Sequence, residues 1–101
     1  MKLLWTKEAL LRLQEIEEFI SRDNPGVATE FVEKLISVAE TIIHNPEKGR
    51  IVPELSFENI REVLHKNYRI VYLVKKYSTD ILTVFEWHQL LKKEEIIKNK
   101  N

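Results

Sequence analysis

Cysteine is absent from the 101 residues, which excludes disulfides and thiolate metal sites and leaves the redox compartment unread. Glycine occurs only at Gly26 and Gly49, too few for a glycine-rich loop around a phosphate. The three histidines, His44, His65 and His88, stand more than twenty residues apart, a spacing that makes no metal-ligand motif. Neither a cofactor nor a metal is therefore expected. Long apolar runs are missing too: Met1-Lys2-Leu3-Leu4-Trp5-Thr6-Lys7 is too short for a secretory leader, and no stretch reaches membrane-spanning length. A cytoplasmic protein without a membrane partner is the expectation. A surplus of one charge is also lacking, since 16 Lys and Arg balance 16 Asp and Glu. That balance argues against broad, nonspecific adhesion to nucleic acid.

What remains is 44% hydrophobic and 32% charged, the make-up of one folded domain over residues 1–101 with a well-solvated surface. Lys2-Leu3-Leu4-Trp5 suits an opening strand. Thr6 is a plausible N-cap, and Glu8 stands in the first turn, where the helix dipole favours a carboxylate. Ala9, Leu13, Ile16 and Ile20 then recur with helical spacing, widened by Leu10 and Phe19, and this helix should end near Arg22-Asp23. Asn24-Pro25 caps and opens a second helix, whose stripe is Ala28, Phe31, Val32, Leu35, Val38, Ala39, Ile42 and Ile43. Asn45 is pushed out of the helical region by Pro46, so the helix stops there. The short linker predicts an antiparallel helical hairpin.

Residues 46–59 read as one loop, long for a connection and pinned by Ile51, Val52, Leu55 and Phe57. Three strands follow at 60–64, 68–74 and 81–88, joined through His65-Lys66-Asn67 and through residues 76–80. Strict alternation puts Tyr68, Ile70, Tyr72 and Val74 on one face of the middle strand and Arg69, Val71, Leu73 and Lys75 on the other. In the last strand it sets Ile81, Thr83, Phe85 and Trp87 against Leu82, Val84, Glu86 and His88. Neither face is polar throughout, so cover is expected on both: the helices on one side, the C-terminal segment or a partner on the other. Residues 89–101 are expected to form a short C-terminal helix with frayed ends. The predicted fold class is α+β: an N-terminal strand, an antiparallel helical hairpin, then a three-stranded antiparallel meander forming one small sheet.

Arginines in apolar strands are the unusual feature. Arg61 and Arg69 lie on adjacent strands and are expected to converge with Arg50 of the loop. Planar, bidentate donors so placed suit a phosphate or carboxylate clamp. The plainer reading is ion pairing with Glu62, Glu86 or Glu54 on a solvated face, and on the residues alone it has the advantage. His88, beside Trp87, is suited to acid or base chemistry near neutral pH, although a lone histidine more often ends a strand without a role.

Six fragments, in order, resemble the RelE/ParE superfamily of type II toxins. They are Trp5-Thr6 with Ala9 and Leu13; Asn24-Pro25 with Ala28; Asn45-Pro46; Gly49-Arg50-Ile51-Val52-Pro53-Glu54; Ile60-Arg61-Glu62-Val63; and Asn67-Tyr68-Arg69-Ile70-Val71-Tyr72. The resemblance implies a toxin neutralised by a cognate antitoxin whose apolar helix fills grooves beside the hairpin and the sheet, with toxin–antitoxin hetero-oligomers or a homodimer as assemblies. In the RelE-like branch the protein is a ribosome-dependent mRNA endoribonuclease, and Arg61, Arg69 and His88 become its catalytic residues. Val63 stands where that branch has a second basic residue, and His88-Gln89-Leu90-Leu91 stands where it has a basic run. The ParE-like branch inhibits DNA gyrase and does no chemistry of its own. The Gly49–Glu54 motif and the Ile-Arg-Glu strand favour it, as in plasmid-stabilisation toxins, with Arg50, Glu54, Arg61, Arg69, Trp87 and His88 as a recognition surface. A third reading keeps the fold as a non-toxic binding or regulatory protein.

Overall fold

The computed structural model describes residues 1–86. Strand β1 (Lys2–Trp5) leads into α1 (Lys7–Ser21) and α2 (Pro25–Thr41), which a single 3₁₀ turn, Ile42–His44, extends. Then come β2 (Arg50–Ile51), β3 (Ile60–His65), β4 (Tyr68–Val74) and β5 (Ser78–Glu86). Among the described residues no helix is long and apolar enough to cross a membrane.

Both helix starts form as their sequences dictate. The Thr6 hydroxyl accepts the Ala9 amide, and the Asn24 side chain accepts the Val27 amide with Pro25 in the first turn. Ala9, Leu13 and Ile16 of α1 and Ala28, Leu35 and Ala39 of α2 are buried. Leu10 and Phe19, assigned to the apolar stripe, instead face solvent. They sit one residue away from Ala9 and Ile20, at the margin of a stripe that needs only the narrower arc to meet the sheet.

The sheet has five strands rather than three, in the order β1-β5-β4-β3-β2. The meander β3-β4-β5 is its antiparallel centre, as the sequence predicts. β1 adds to one edge, parallel to β5, with Trp5 opposite Ile81. At the other edge β2, a two-residue strand inside the presumed loop, pairs Arg50 with Glu62 and Ile51 with Arg61. Two residues carry too little alternation to announce a strand. β3 and β4 turn through Lys66 and Asn67, Lys66 taking the left-handed conformation at φ 55°.

A register shift separates the pairs Val71–Thr83 and Tyr72–Ile81, leaving Leu82 as the extra residue of a β-bulge. The bulge resets the alternation of β5. Ile81 and Val84, expected on opposite faces, both join the core beneath the helices, while Leu82 packs into a cluster on the far side. The Thr6 hydroxyl lies 2.9 Å from the Ile81 carbonyl and 3.0 Å from that of Leu82. One side chain therefore caps α1 and satisfies the backbone that the bulge frees.

Two apolar clusters result. The larger joins Ala9, Leu13, Ile16, Leu35, Ala39 and Ile42 of the helices to Tyr68, Ile70, Tyr72, Ile81 and Val84 of the sheet. The smaller gathers Ile60, Val71, Leu73 and Leu82 with Val52 and Leu55, flanked by Phe57 and Phe85. Among the described residues, cover for the second face comes from the 46–59 segment; the C-terminal segment, to which the sequence pointed, lies outside them. The expected helix at 89–101 lies outside the described residues.

Candidate functional site

β4 runs through the middle of the sheet, so each of its side chains lands on a covered face. Arg69 is consequently buried, its side chain only 4% exposed. Its Nε donates to Glu62 Oε1 at 2.6 Å. Its two terminal nitrogens meet Glu54 in parallel, Nη1 to Oε2 and Nη2 to Oε1, both at 2.7 Å. The guanidinium also lies 4.8 Å from the ring centroid of Phe85, its cross-strand neighbour. The hydrogen bonds that Arg69 donates to Glu54 and Glu62 outweigh burial and hold its pKa above the ordinary value.

Glu62 is completely buried, and its other oxygen accepts from Arg50 Nε at 2.6 Å. Arg50, on the edge strand, keeps 60% of its side chain exposed. The result is a chain of alternating charge, Glu54–Arg69–Glu62–Arg50, that runs from the loop across β4 and β3 to the sheet edge. Every buried side-chain polar atom among the described residues has a partner, which is the condition under which buried charges are tolerated.

Arg61 does not converge with Arg69. Leu64 is the residue opposite Arg69, and Arg61, an odd number of positions away along β3, points to the other face. There its Nη1 donates to the Gly49 carbonyl at 3.0 Å and the Glu47 carbonyl at 3.4 Å. Tyr72, opposite Arg61 in the ladder, donates its hydroxyl to the Pro46 carbonyl at 2.7 Å and accepts the Gly49 amide at 3.0 Å. Burial raises the Tyr72 pKa, so the phenol stays a donor. Gly49 is the one glycine that the fold requires for space: a Cβ there would stand 2.4 Å from the Tyr72 hydroxyl and 2.6 Å from the Glu62 carbonyl.

The sequence-chosen residues therefore separate into two groups. Arg50 and Arg69 meet at Glu62 on one face, with Glu54 on the far edge of Arg69, and Arg61 holds the start of the loop on the other. Trp87 and His88 lie outside the described residues. Glu62 appears in the sequence as a counter-ion and motif residue, Tyr72 as a motif residue on one face of its strand, and Gly49 as a motif residue; for Glu62 and Tyr72 the signal was a polar group within an apolar strand.

A separate groove of about 450 Å³ opens between α2 and the β3–β4 turn, lined by Val27, Glu30, Phe31, Lys34, His65 and Lys66. Phe31 meets the His65 ring at 5.8 Å and that of Tyr68 at 5.5 Å. Desolvation, then the charges of Lys66 and Lys34, hold the His65 pKa below its ordinary value.

Residues 3–89 match the model of the ParE toxin of the type II toxin–antitoxin system parDE. The chain belongs to the ParE toxin family. Among curated proteins, this ParE-family chain is 30% identical over 90 residues to the toxin candidate Y4kP of Sinorhizobium fredii (strain NBRC 101917 / NGR234), covering 87% of this chain and 90% of that one. Among solved structures it is similar to a chain of the chromosomal ParDE TA system from P. aeruginosa. That match has a TM-score of 0.71 at 19% identity and covers 85% of this chain and 95% of the other. At that identity the likeness establishes the shared fold.

Proposed function

We propose that this ParE-family toxin acts by binding and inhibiting DNA gyrase in the cytoplasm, without chemistry of its own, and that a cognate antitoxin neutralises it. The observation that carries the choice of target is the placement of Arg69. A ribonuclease of the RelE type needs that guanidinium on a scissile phosphate, whereas here Glu54 and Glu62 occupy its edges and the arginine is buried. Val63 in place of a second basic residue and the zero net charge support the same choice, because docking into ribosomal RNA favours basic surfaces. Arg50 is the exposed end of the charge chain and, with the segment that Arg61 and Tyr72 hold, forms the recognition surface of this reading. The groove at Phe31, with Lys34 and Lys66 at its rim, is where an apolar, acidic antitoxin helix fits.

Induction in growing cells tests the reading. Growth arrest with a DNA-damage response and intact mRNA is expected, and coexpression of the adjacent antitoxin gene should relieve it. Ribosome-dependent mRNA cuts, lost in an Arg69→Lys variant, would replace gyrase with the ribosome as target. Normal growth would leave a non-toxic binding protein.

A further inference from the structure

We propose that residues 52–59 form a strap that opens and closes over the second apolar cluster as a unit separate from the rest of the fold, with the Glu54–Arg69 pair as its latch. The strap leaves and rejoins the sheet at nearly one place. The Val52 amide donates to the Ile60 carbonyl, and the Asn59 carbonyl accepts from the Val74 amide. Ends that close together are the mark of a compact surface loop packed by its own side chains. Between them the backbone bonds are local: the Leu55 and Ser56 amides both donate to the Val52 carbonyl, and Ser56 turns through φ 58°. Attachment to the sheet includes the side chains of Val52 and Leu55 in the apolar cluster, Phe57 packed against it, and Glu54 on Arg69.

The charge arrangement makes this latch able to open. Removing one partner of a buried ion pair ordinarily strands the other charge without compensation. Here Arg69 keeps Glu62 on its Nε and Phe85 against its face when Glu54 departs, so the guanidinium retains one carboxylate, shared with Arg50, while its terminal nitrogens turn to the water that opening admits. Glu54 is already at the margin of the site, 18% exposed, and regains water as it leaves. The receiving side of the latch is fixed to the sheet and the moving side is on the loop. Opening bares Val71, Leu73 and Leu82 without disturbing the helix-covered core on the opposite face.

Native-state hydrogen exchange on the full chain, followed across low urea concentrations, tests the proposal. The Leu55 and Ser56 amides are expected to exchange about tenfold or more faster than those of Ile70 and Val71, through an opening that barely responds to urea. Glu54→Gln should accelerate the strap amides about tenfold more while leaving β4 within about twofold. The proposal is overturned if strap and β4 amides share one rate and one urea dependence in the unaltered chain, or if Glu54→Gln moves both sets together. Should Glu54→Gln fail to fold, the urea dependence of the unaltered chain decides alone.

Discussion

Arg69 and Glu54 meet edge to edge, two parallel bonds of 2.7 Å joining a guanidinium in the centre of the sheet to a carboxylate on the covering loop. Fourteen residues of sequence separate them from any obvious pairing, yet the geometry is the forked one that arginine alone supplies. With Glu62 and Arg50 this pair turns the most conspicuous cation of the chain inward.

Removing that cation should be costly. Arg69→Met leaves Glu54 and Glu62 without their shared partner, and Glu62 has no access to water. A loss of about 3–5 kcal/mol is expected from breaking a buried pair on one side. Arg50→Ala leaves Glu62 on Arg69 but takes the donor from its other, buried oxygen, so a smaller loss of about 1–3 kcal/mol is expected. Urea denaturation of both variants checks the contrast; equal losses would contradict the assignment of Arg69 as the centre of the network.

Gly49→Ala should also destabilise, through overlap rather than lost charge. The added Cβ meets a phenol oxygen that is bonded to Pro46 and a backbone carbonyl of β3, and neither can retreat without breaking the clamp. About 1–3 kcal/mol is expected from such overpacking, read as a lower unfolding midpoint. An unchanged midpoint would mean that the segment at 46–49 shifts freely.

Stability should fall in mild acid, in part through His65. Burial beside Lys66 and Lys34 favours its neutral form in the fold, so its folded pKa lies below the ordinary value of about 6.5. Above that ordinary value both folded and unfolded states carry a neutral ring and stability is full. As pH drops below it, the unfolded chain takes up the proton first, and stability declines until the folded ring protonates as well. The melting temperature of His65→Gln should therefore decline less between pH 7 and 5 than that of the unaltered chain. Parallel profiles would remove His65 as the source.

Much of this fold was legible in the residues. Thr6 and Asn24 announced their helices because caps are local, and the β3-β4-β5 meander announced itself through hydrophobic alternation. β2 escaped notice because two residues have no period, and the parallel partnership of β1 with β5 because long-range pairing leaves no local mark. The bulge at Leu82 moved Val84 to the helix face, which no strict alternation anticipates. For the candidate site, the sequence named Glu54 and Glu62 as counter-ions of the arginines, and both pair with Arg69. It brought Arg61 and Arg69 together, however, because opposite faces follow only from the register, fixed by the two-residue turn at Lys66 and Asn67.

The target is tested most directly by purified gyrase in a DNA-supercoiling assay with the full chain added. Inhibition of supercoiling with accumulation of cleaved DNA, and no cutting of ribosome-bound mRNA by the same preparation, is the predicted result. Undiminished supercoiling together with mRNA cuts that Arg69→Lys abolishes would contradict the account.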